Sequence, residues 1–327
     1  MRIVLLGIQT DIMDEGARNV ATNLARVLSA QDEVLPSHQR WALSPGFIRR
    51  AVRFRPDLIL SVHGPSPKTA VLLLVLRRFC RGAKTVMLAT QPNGGALLAA
   101  MLRVLRPDLV FAQSGAWQKR FRRHALETSL LPNGVDLEKF RPRADTTAFR
   151  RSLGLGPERK LALHVGPVNR NRSLELLLRL KQETDWEVLV VGSTTARYVP
   201  ELAADLEAGG VIVRKEYFPD ISEVYSAADV YVFPVLDEGG SIEVPLTVLE
   251  AMACDRPVLT TPFRGLPDFL PDAPAVGFFA SFAELLQQLP CVVGRQGNRQ
   301  SISGLSWSRV AAELRATAAH RLGLANT

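Results

Sequence analysis

Two carboxylates, Glu243 and Glu250, stand with six residues between them within the stretch DVYVFPVLDEGGSIEVPLTVLEAMACDRPVLTT, residues 229–261, between two short apolar runs. The apolar runs read as buried strands, so the acids fall at strand ends beside a helix start, where open α/β sheets hold their ligands. A third acid, Glu238, precedes Gly239, Gly240 and Ser241, whose backbone N–H groups and hydroxyl suit a phosphate. A plain turn is the other reading of the Gly pair. Glu243, just before Pro245, also suits the first turn of a helix, where the dipole favours an acid by roughly a few tenths of a kcal/mol. Glu250 is harder to explain as structure alone, because it lies beside Leu249 and Met252 in an apolar helix, where burying an acid without a partner is costly.

Basic groups stand upstream, in LHVGPVNRNRSLELL, residues 163–177. Arg170 and Arg172 precede a helical pattern, and a helix start disfavours cations, so a bound anion explains them better than a solvated loop. His63 and His164 have no spacing that suggests a metal; His164 falls inside a predicted strand, as core or as the wall of a cleft. Cys80, Cys254 and Cys291 are far apart, odd in number and without a CxxC pair, which argues against a disulfide framework or a zinc site and fits a reducing cytoplasm. No Ser-His-Asp or Cys-His signature is present.

Positioning these groups requires alternating strands and helices. Residues 2–8, 57–62, 84–89 and 109–113 read as strands, and 17–29, 69–79, 95–105 and 117–124 as helices between them. A break rich in charge, Gly and Pro follows at 140–157. Strands at 161–166, 187–192, 211–214, 229–234 and 258–261 then alternate with helices at 173–182, 200–208, 221–227 and 246–254. The pattern predicts an α/β chain of two Rossmann-like parallel-sheet domains with a cleft between them. A last helix, 307–322, aligns Val310, Leu314 and Ala318 on one face.

The chain has 327 residues, 47% apolar and 22% charged, enough for two soluble domains each with its own core. Charge divides unevenly. Residues 1–150 hold 23 Lys and Arg against 11 Asp and Glu, net +12, while 151–327 hold 17 against 21, net −4. The first half therefore suits an anionic ligand, a phospholipid surface or nucleic acid, with solvated arginine as the plainer reading. Nucleic acid ranks low, since few aromatics are interleaved and no RNA-binding signature is present. The apolar run 70–76 ends at Arg77 and Arg78, well short of a membrane span. The opening MRIVLLGIQTD runs into a strand without the apolar stretch and cleavage site of a secretory signal. The expected location is cytoplasmic, extending to the inner membrane face.

Leu249 to Ala253, LEAMA, followed by Pro257 and Val258, together with LPNGVDLEKF at 131–140 and DEGARNVATNLARVL at 14–28, resemble retaining glycosyltransferases of family 4, the glycosyl transferases group 1 with the GT-B fold. The resemblance implies two Rossmann-like domains facing a central cleft: 1–150 as acceptor domain, with the C-terminal helix 307–327 packing back onto it, and 151–306 as nucleotide-sugar donor domain. It implies a hexosyl or related transfer from a nucleoside-diphosphate sugar to a glycan, lipid-linked or small-molecule hydroxyl, with retention and without metal or cofactor. It places the ribose hydroxyls on Glu250, whose carboxylate can accept two hydrogen bonds from a vicinal diol, and the sugar on Glu243. The usual spacing would select Ile242, and Glu238 is the second choice. Arg172 takes the position of a diphosphate-binding Lys and keeps its charge. Pro167 replaces the Arg expected just after Gly166, and Arg170 is the nearest substitute. Gly16 ends the first loop, 8–16, and with Gly240 and Ser241 permits close approach to the donor. Gln91 follows the strand where many members carry a His; it can donate and accept but cannot take a charge. A catalytically silent nucleotide-sugar or glycan-binding protein of the same fold, and a nucleotide-sugar epimerase, are the alternatives.

Overall fold

Two six-stranded parallel sheets organise the chain in the computed structural model, which describes residues 1–7, 16–62, 64–92, 102, 106–194, 198–270 and 272–324. The first sheet contains β1 (Arg2–Leu6), β2 (Glu33–Ser37), β3 (Leu58–Ser61), β4 (Lys84–Ala89), β5 (Leu109–Ala112) and β6 (Thr128–Leu130), in the order β2-β1-β3-β4-β5-β6. The second contains β7 (Leu161–Val165), β8 (Glu187–Val191), β9 (Ile212–Arg214), β10 (Val230–Phe233), β11 (Val258–Thr260) and β12 (Val276–Phe278), in the order β12-β11-β10-β7-β8-β9. The central strands are short runs of Val, Ile and Leu buried along nearly their whole length, as expected of parallel sheets covered on both faces.

Strands the sequence pattern did not single out lie at sheet edges. β2 (EVLPS) is only half-buried and contains Pro36, while β6 and β12 are three residues each, so none shows a run long enough to read. The helix Pro45–Phe54 also escaped the periodic reading, although its start is explicit: the Ser44 hydroxyl accepts from the Phe47 N–H at 3.2 Å, with Pro45 at the first position. The break at 140–157 holds one short helix, Thr147–Ser152. The helix expected at 95–105 lies almost wholly outside the described residues, as do His63 and the loop before Gly16.

The chain divides into two compact units. One comprises Met1–Gly134, Ile242–Val244 and Trp307–Thr327, and the other Val135–Ser241 and Pro245–Ser306. In the first, the helix Trp307–Leu322 packs against the helix Gly16–Leu28 and buries Val310, Leu314 and Ala318. An ion-pair cluster ties its ends: Asp32, with no exposed side-chain surface, meets the Met1 amino group at 2.8 Å and Arg315 Nε at 2.7 Å. Gly134 is sterically required, since a Cβ there would stand 2.6 Å from the Trp307 ring. Among the described residues no helix is long and apolar enough to cross a membrane.

The second unit pins its opening segment through Arg299. The Arg299 guanidinium donates to the carbonyls of Phe140 (2.6 Å), Ala253 (2.5 Å) and Leu137 (2.7 Å), holding 135–140 beside the helix Leu246–Ala253. Phe140 then meets Tyr225 edge-on, at 6.0 Å between ring centres.

Candidate functional site

In the second sheet the chain runs from β7 to β8 and β9 on one side, then returns to β10 on the other side of β7 and continues outward to β11 and β12. The loops leaving β7 and β10 must diverge, and the space they open at the carboxyl edge is where such sheets bind ligands. Those loops carry the Arg170–Arg172 turn and the Glu238–Gly240 turn. The turns touch closely: a Cβ on Gly240 would lie 2.4 Å from the Asn171 carbonyl oxygen, so only glycine fits. Asn169 holds the first turn by accepting from the Asn171 N–H (3.1 Å), and Asp237 holds the second by accepting from the Gly239 N–H (2.6 Å).

Arg172 is 8% exposed and stands over the Phe233 ring at 5.9 Å. Among the described residues its side chain has no hydrogen bond and no acidic partner, and its Nε is enclosed without an acceptor. Burial lowers its pKa to about 10. His164, fully buried on β7, places Nδ1 3.0 Å from the Val232 carbonyl. A carbonyl can only accept, so Nδ1 carries the proton and Nε2, which has no partner, presents a lone pair. Burial, then the Arg172 charge, lower the His164 pKa to about 3. Between the two lies Gly166, where a Cβ would stand 3.0 Å from Arg172 Nη1 and 3.1 Å from His164 Nε2. A buried guanidinium with no acidic partner among the described residues is costly without a counter-anion.

Glu250, on the helix Leu246–Ala253, accepts from the Tyr225 hydroxyl at 2.8 Å. Desolvation raises its pKa, against the opposing pull of the Tyr225 bond and the Lys139 charge. One turn earlier, Thr247 Oγ1 lies 2.7 Å from the Tyr231 hydroxyl. The Tyr231 ring stands 5.8 Å from Tyr225 and stacks with His164 at 6.3 Å, so its buried hydroxyl feels both the Arg172 and the Glu250 charges. Arg172 and Glu250 therefore share one neighbour.

The remaining expected residues fall elsewhere. Arg170 is exposed on its turn. Glu238 is exposed; its carbonyl accepts from Arg264 Nε at 2.9 Å, and its carboxylate lies 3.8 Å from Arg264 Nη2. Ser241 closes that turn, half-buried. Glu243 is fully buried within the first unit, where its N–H donates to the Thr90 carbonyl at 2.8 Å, beside half-buried Gln91 at the end of β4. Asn133 holds the same segment by donating to the Val244 carbonyl at 2.7 Å, itself fixed by Gln113 Nε2 at 2.6 Å. Gly16 opens the helix Gly16–Leu28 of that unit. Sequence reasoning did not find Tyr225, Tyr231, Thr247 or Lys139. Only Thr247 left a signal, its place three residues before Glu250 on one helix face. Among the described residues no group of three or more His, Cys, Asp or Glu could hold a metal ion.

Residues 159–293 match the family model described as Glycosyl transferases group 1. This stretch is a group 1 glycosyl transferase domain. The domain runs from β7 past β12 and contains Arg172, Glu238, Glu243 and Glu250. The chain as a whole is 28% identical over 272 residues to the sulfoquinovosyl transferase SQD2 of Arabidopsis thaliana, covering 76% of this chain and 52% of that protein. It is 29% identical over 196 residues to the D-inositol 3-phosphate glycosyltransferase of Mycobacterium marinum (56% and 40%). With the alpha-maltose-1-phosphate synthase of Mycobacterium tuberculosis it shares 27% over 245 residues (64% and 62%). The chain thus spans about half the length of these relatives. Among solved structures, the sucrose-phosphate synthase of Thermosynechococcus elongatus superposes over 99% of this chain and all of its own, with TM-score 0.78 at 18% identity. Anabaena Alr3699/HepE in complex with UDP and glucose does so over 98% of this chain and all of its own, with TM-score 0.73 at 15% identity. The fold around the group 1 domain is that of GT-B proteins, two Rossmann-like units each built on a parallel sheet.

Proposed function

We propose that the chain is a retaining, metal-independent glycosyltransferase that moves a hexosyl or related group from a nucleoside-diphosphate sugar to an acceptor hydroxyl. The observation that carries this reading is the buried Arg172 guanidinium, without an acidic partner among the described residues, converging with His164 Nε2 on Gly166 at the carboxyl edge of β7. In this reading the donor diphosphate supplies the missing counter-charge. Arg170 on the same turn and the N–H groups of the Glu238–Gly240 turn, with Ser241, complete its neutralisation as the bond to the sugar breaks. Glu250 binds the ribose diol with one oxygen oriented by Tyr225. Glu243 and Gln91 address the transferred sugar, Glu238 is the alternate acid, and Gly16 leaves room for the donor.

Residues 151–306 act as donor domain, and residues 1–150 with the terminal helix as acceptor domain. The net +12 of residues 1–150 supports an anionic or membrane-held acceptor. The leaving phosphate takes up the acceptor proton on the same face, so that no protein base is required and the neutrality of Gln91 is no obstacle. The test is a thermal-shift and turnover panel of UDP, GDP and ADP and their sugars. A nucleotide at a hundred times its dissociation constant adds about 2.7 kcal/mol of stability. Stabilisation by one nucleotide, with release of free nucleoside diphosphate in the presence of acceptor, is expected. No stabilisation by any of them would overturn the proposal, and binding without release would assign the chain as a silent nucleotide-sugar binder.

A further inference from the structure

The first unit carries a surface that its fold does not explain. Of the eight large hydrophobic side chains exposed among the described residues, six (Trp41, Leu43, Val52, Val71, Leu74 and Phe79) fall within residues 41–79, with Trp41 68% and Phe79 51% exposed. Leu43 and Val71 line one groove of about 500 Å³ together with Arg40, Lys68 and Leu72. On the helix Pro67–Phe79 the exposed positions Lys68, Val71, Leu74 and Arg78 follow one another at helical spacing, so an apolar centre lies between two cations on a single face.

Charge on this region is of one sign apart from Asp57, which pairs with Arg2. Residues 38–56 and 64–84 contain ten Lys and Arg and no Asp or Glu. Among the described residues the side chains of Arg40, Arg50, Arg53, Lys68, Arg78 and Arg81 make no hydrogen bond and no ion pair. A folded surface normally mixes charges, and an exposed apolar patch ringed by cations of one sign is the pattern of a helix that lies in a lipid interface. There the apolar side chains enter the acyl boundary while Lys and Arg reach the anionic headgroups. A polynucleotide surface would satisfy the cations but leave Trp41, Leu43, Val71 and Leu74 in water.

We propose that the face formed by residues 39–43 and the helix Pro67–Phe79 docks this protein on an anionic phospholipid bilayer. The inference rests on the reading of a membrane-held acceptor, but its test needs no turnover. Trp41 is the reporter in a Trp117→Phe background, because Trp117 is half-buried while Trp186 and Trp307 are buried. The intact protein is mixed with vesicles of phosphatidylglycerol and phosphatidylcholine in equal parts, and with vesicles of phosphatidylcholine alone. Co-sedimentation with the anionic vesicles only, with a blue shift of Trp41 emission, is expected. Lys68→Glu and Arg78→Glu should each weaken partition about fivefold or more, as expected for one surface cation, and Leu74→Glu should abolish the blue shift. Nucleotide-dependent thermal shift measured on the same samples keeps the two readings separate: variants that retain it have an intact donor site. Equal affinity for neutral vesicles, no binding to either, or Leu74→Glu behaving as the parent would overturn the proposal. So would light scattering that shows a second copy covering this face, or binding to polynucleotide that competes with the vesicles and survives Leu74→Glu.

Discussion

The Tyr225 hydroxyl donates to Glu250 Oε2 across 2.8 Å, so the acid of an otherwise apolar helix is held by a phenol from a neighbouring helix. The bond fixes the carboxylate. Burial and the Glu250 charge in turn hold the Tyr225 pKa well above its ordinary value, so the phenol remains a donor at any working pH.

Glu250→Gln should stabilise the unliganded protein at pH 7. Because desolvation raises the Glu250 pKa in the folded state, the stability it contributes is fully present below its ordinary value near 4.5 and is lost as pH rises through the folded value. The gain of the variant should therefore vanish as pH falls toward 4, while its stabilisation by nucleoside diphosphate is lost. Differential scanning calorimetry from pH 4 to 8 checks both, and a variant less stable at pH 7 would contradict the assignment. Tyr225→Phe, which frees the carboxylate, should weaken nucleotide binding by about tenfold, a bond to a charged acceptor being worth roughly 1.5–3 kcal/mol.

Arg172→Met should raise the melting temperature without ligand by a few degrees and remove the response to nucleoside diphosphate. The guanidinium is buried without an acidic partner among the described residues and its pKa is lowered to about 10, so replacing it with an apolar side chain relieves a desolvation cost of order 1 kcal/mol or more. For a chain of this size each kcal/mol moves the midpoint by roughly 2–4 °C. A fall in melting temperature would show that Arg172 has a structural partner instead.

Gly166→Ala places a methyl group 3.0 Å from Arg172 Nη1 and 3.1 Å from His164 Nε2. The end of Arg172 can swing away, but the φ of +159° at Gly166 strains any side chain, so the variant should lose some stability while affinity for the nucleoside diphosphate drops by about tenfold or more. Isothermal titration of parent and variant decides; equal affinities would remove the cradle from the binding site.

His164→Asn should flatten the acid limb of the stability profile. The folded-state pKa of about 3 lies below the ordinary 6.5, so the unfolded chain binds the extra proton between these values and stability falls as pH drops from 6.5 toward 3. The slope lost should approach about 1.4 kcal/mol per pH unit. Urea titrations at pH 7, 6 and 5 measure it, and an unchanged slope would assign acid sensitivity to other groups.

Asp32→Asn should cost about 3 kcal/mol, since it leaves the Met1 amino group and Arg315 facing a neutral amide at a site with no exposed side-chain surface. Chemical denaturation checks the size, and a loss below about 1 kcal/mol would mean that the terminal helix is held by its apolar face alone.

Much of this was legible in the one-dimensional pattern. Buried parallel strands are continuous apolar runs, so β1, β3, β4, β5, β7, β8, β10 and β11 can be read directly, as can the helices Leu246–Ala253 and Trp307–Leu322. Edge strands β2, β6 and β12 could not, being short and half-covered. Glu250 and Arg172 announced themselves as charges in the wrong company, an acid in an apolar helix and cations at a helix start. That anomaly is visible without coordinates because it depends only on neighbours in sequence.

What surrounds them depends on residues distant in the chain, and only folding brings those together. Tyr225 reaches Glu250 across twenty-five residues, and the ends of His164 and Arg172 approach the same point because Gly166 has no side chain to fill it. The segment Ile242–Val244 joins the first unit through Thr90 and Asn133, 111 residues away in the case of Asn133, although its neighbours on both sides belong to the second. Composition and periodicity determined that there would be two α/β sheets and which charges would lack solvent. Hydrogen-bond partners, the proton on His164 and the unit to which Glu243 belongs were decided by tertiary packing, because they are set by distances of a few ångströms between groups that the linear order leaves far apart.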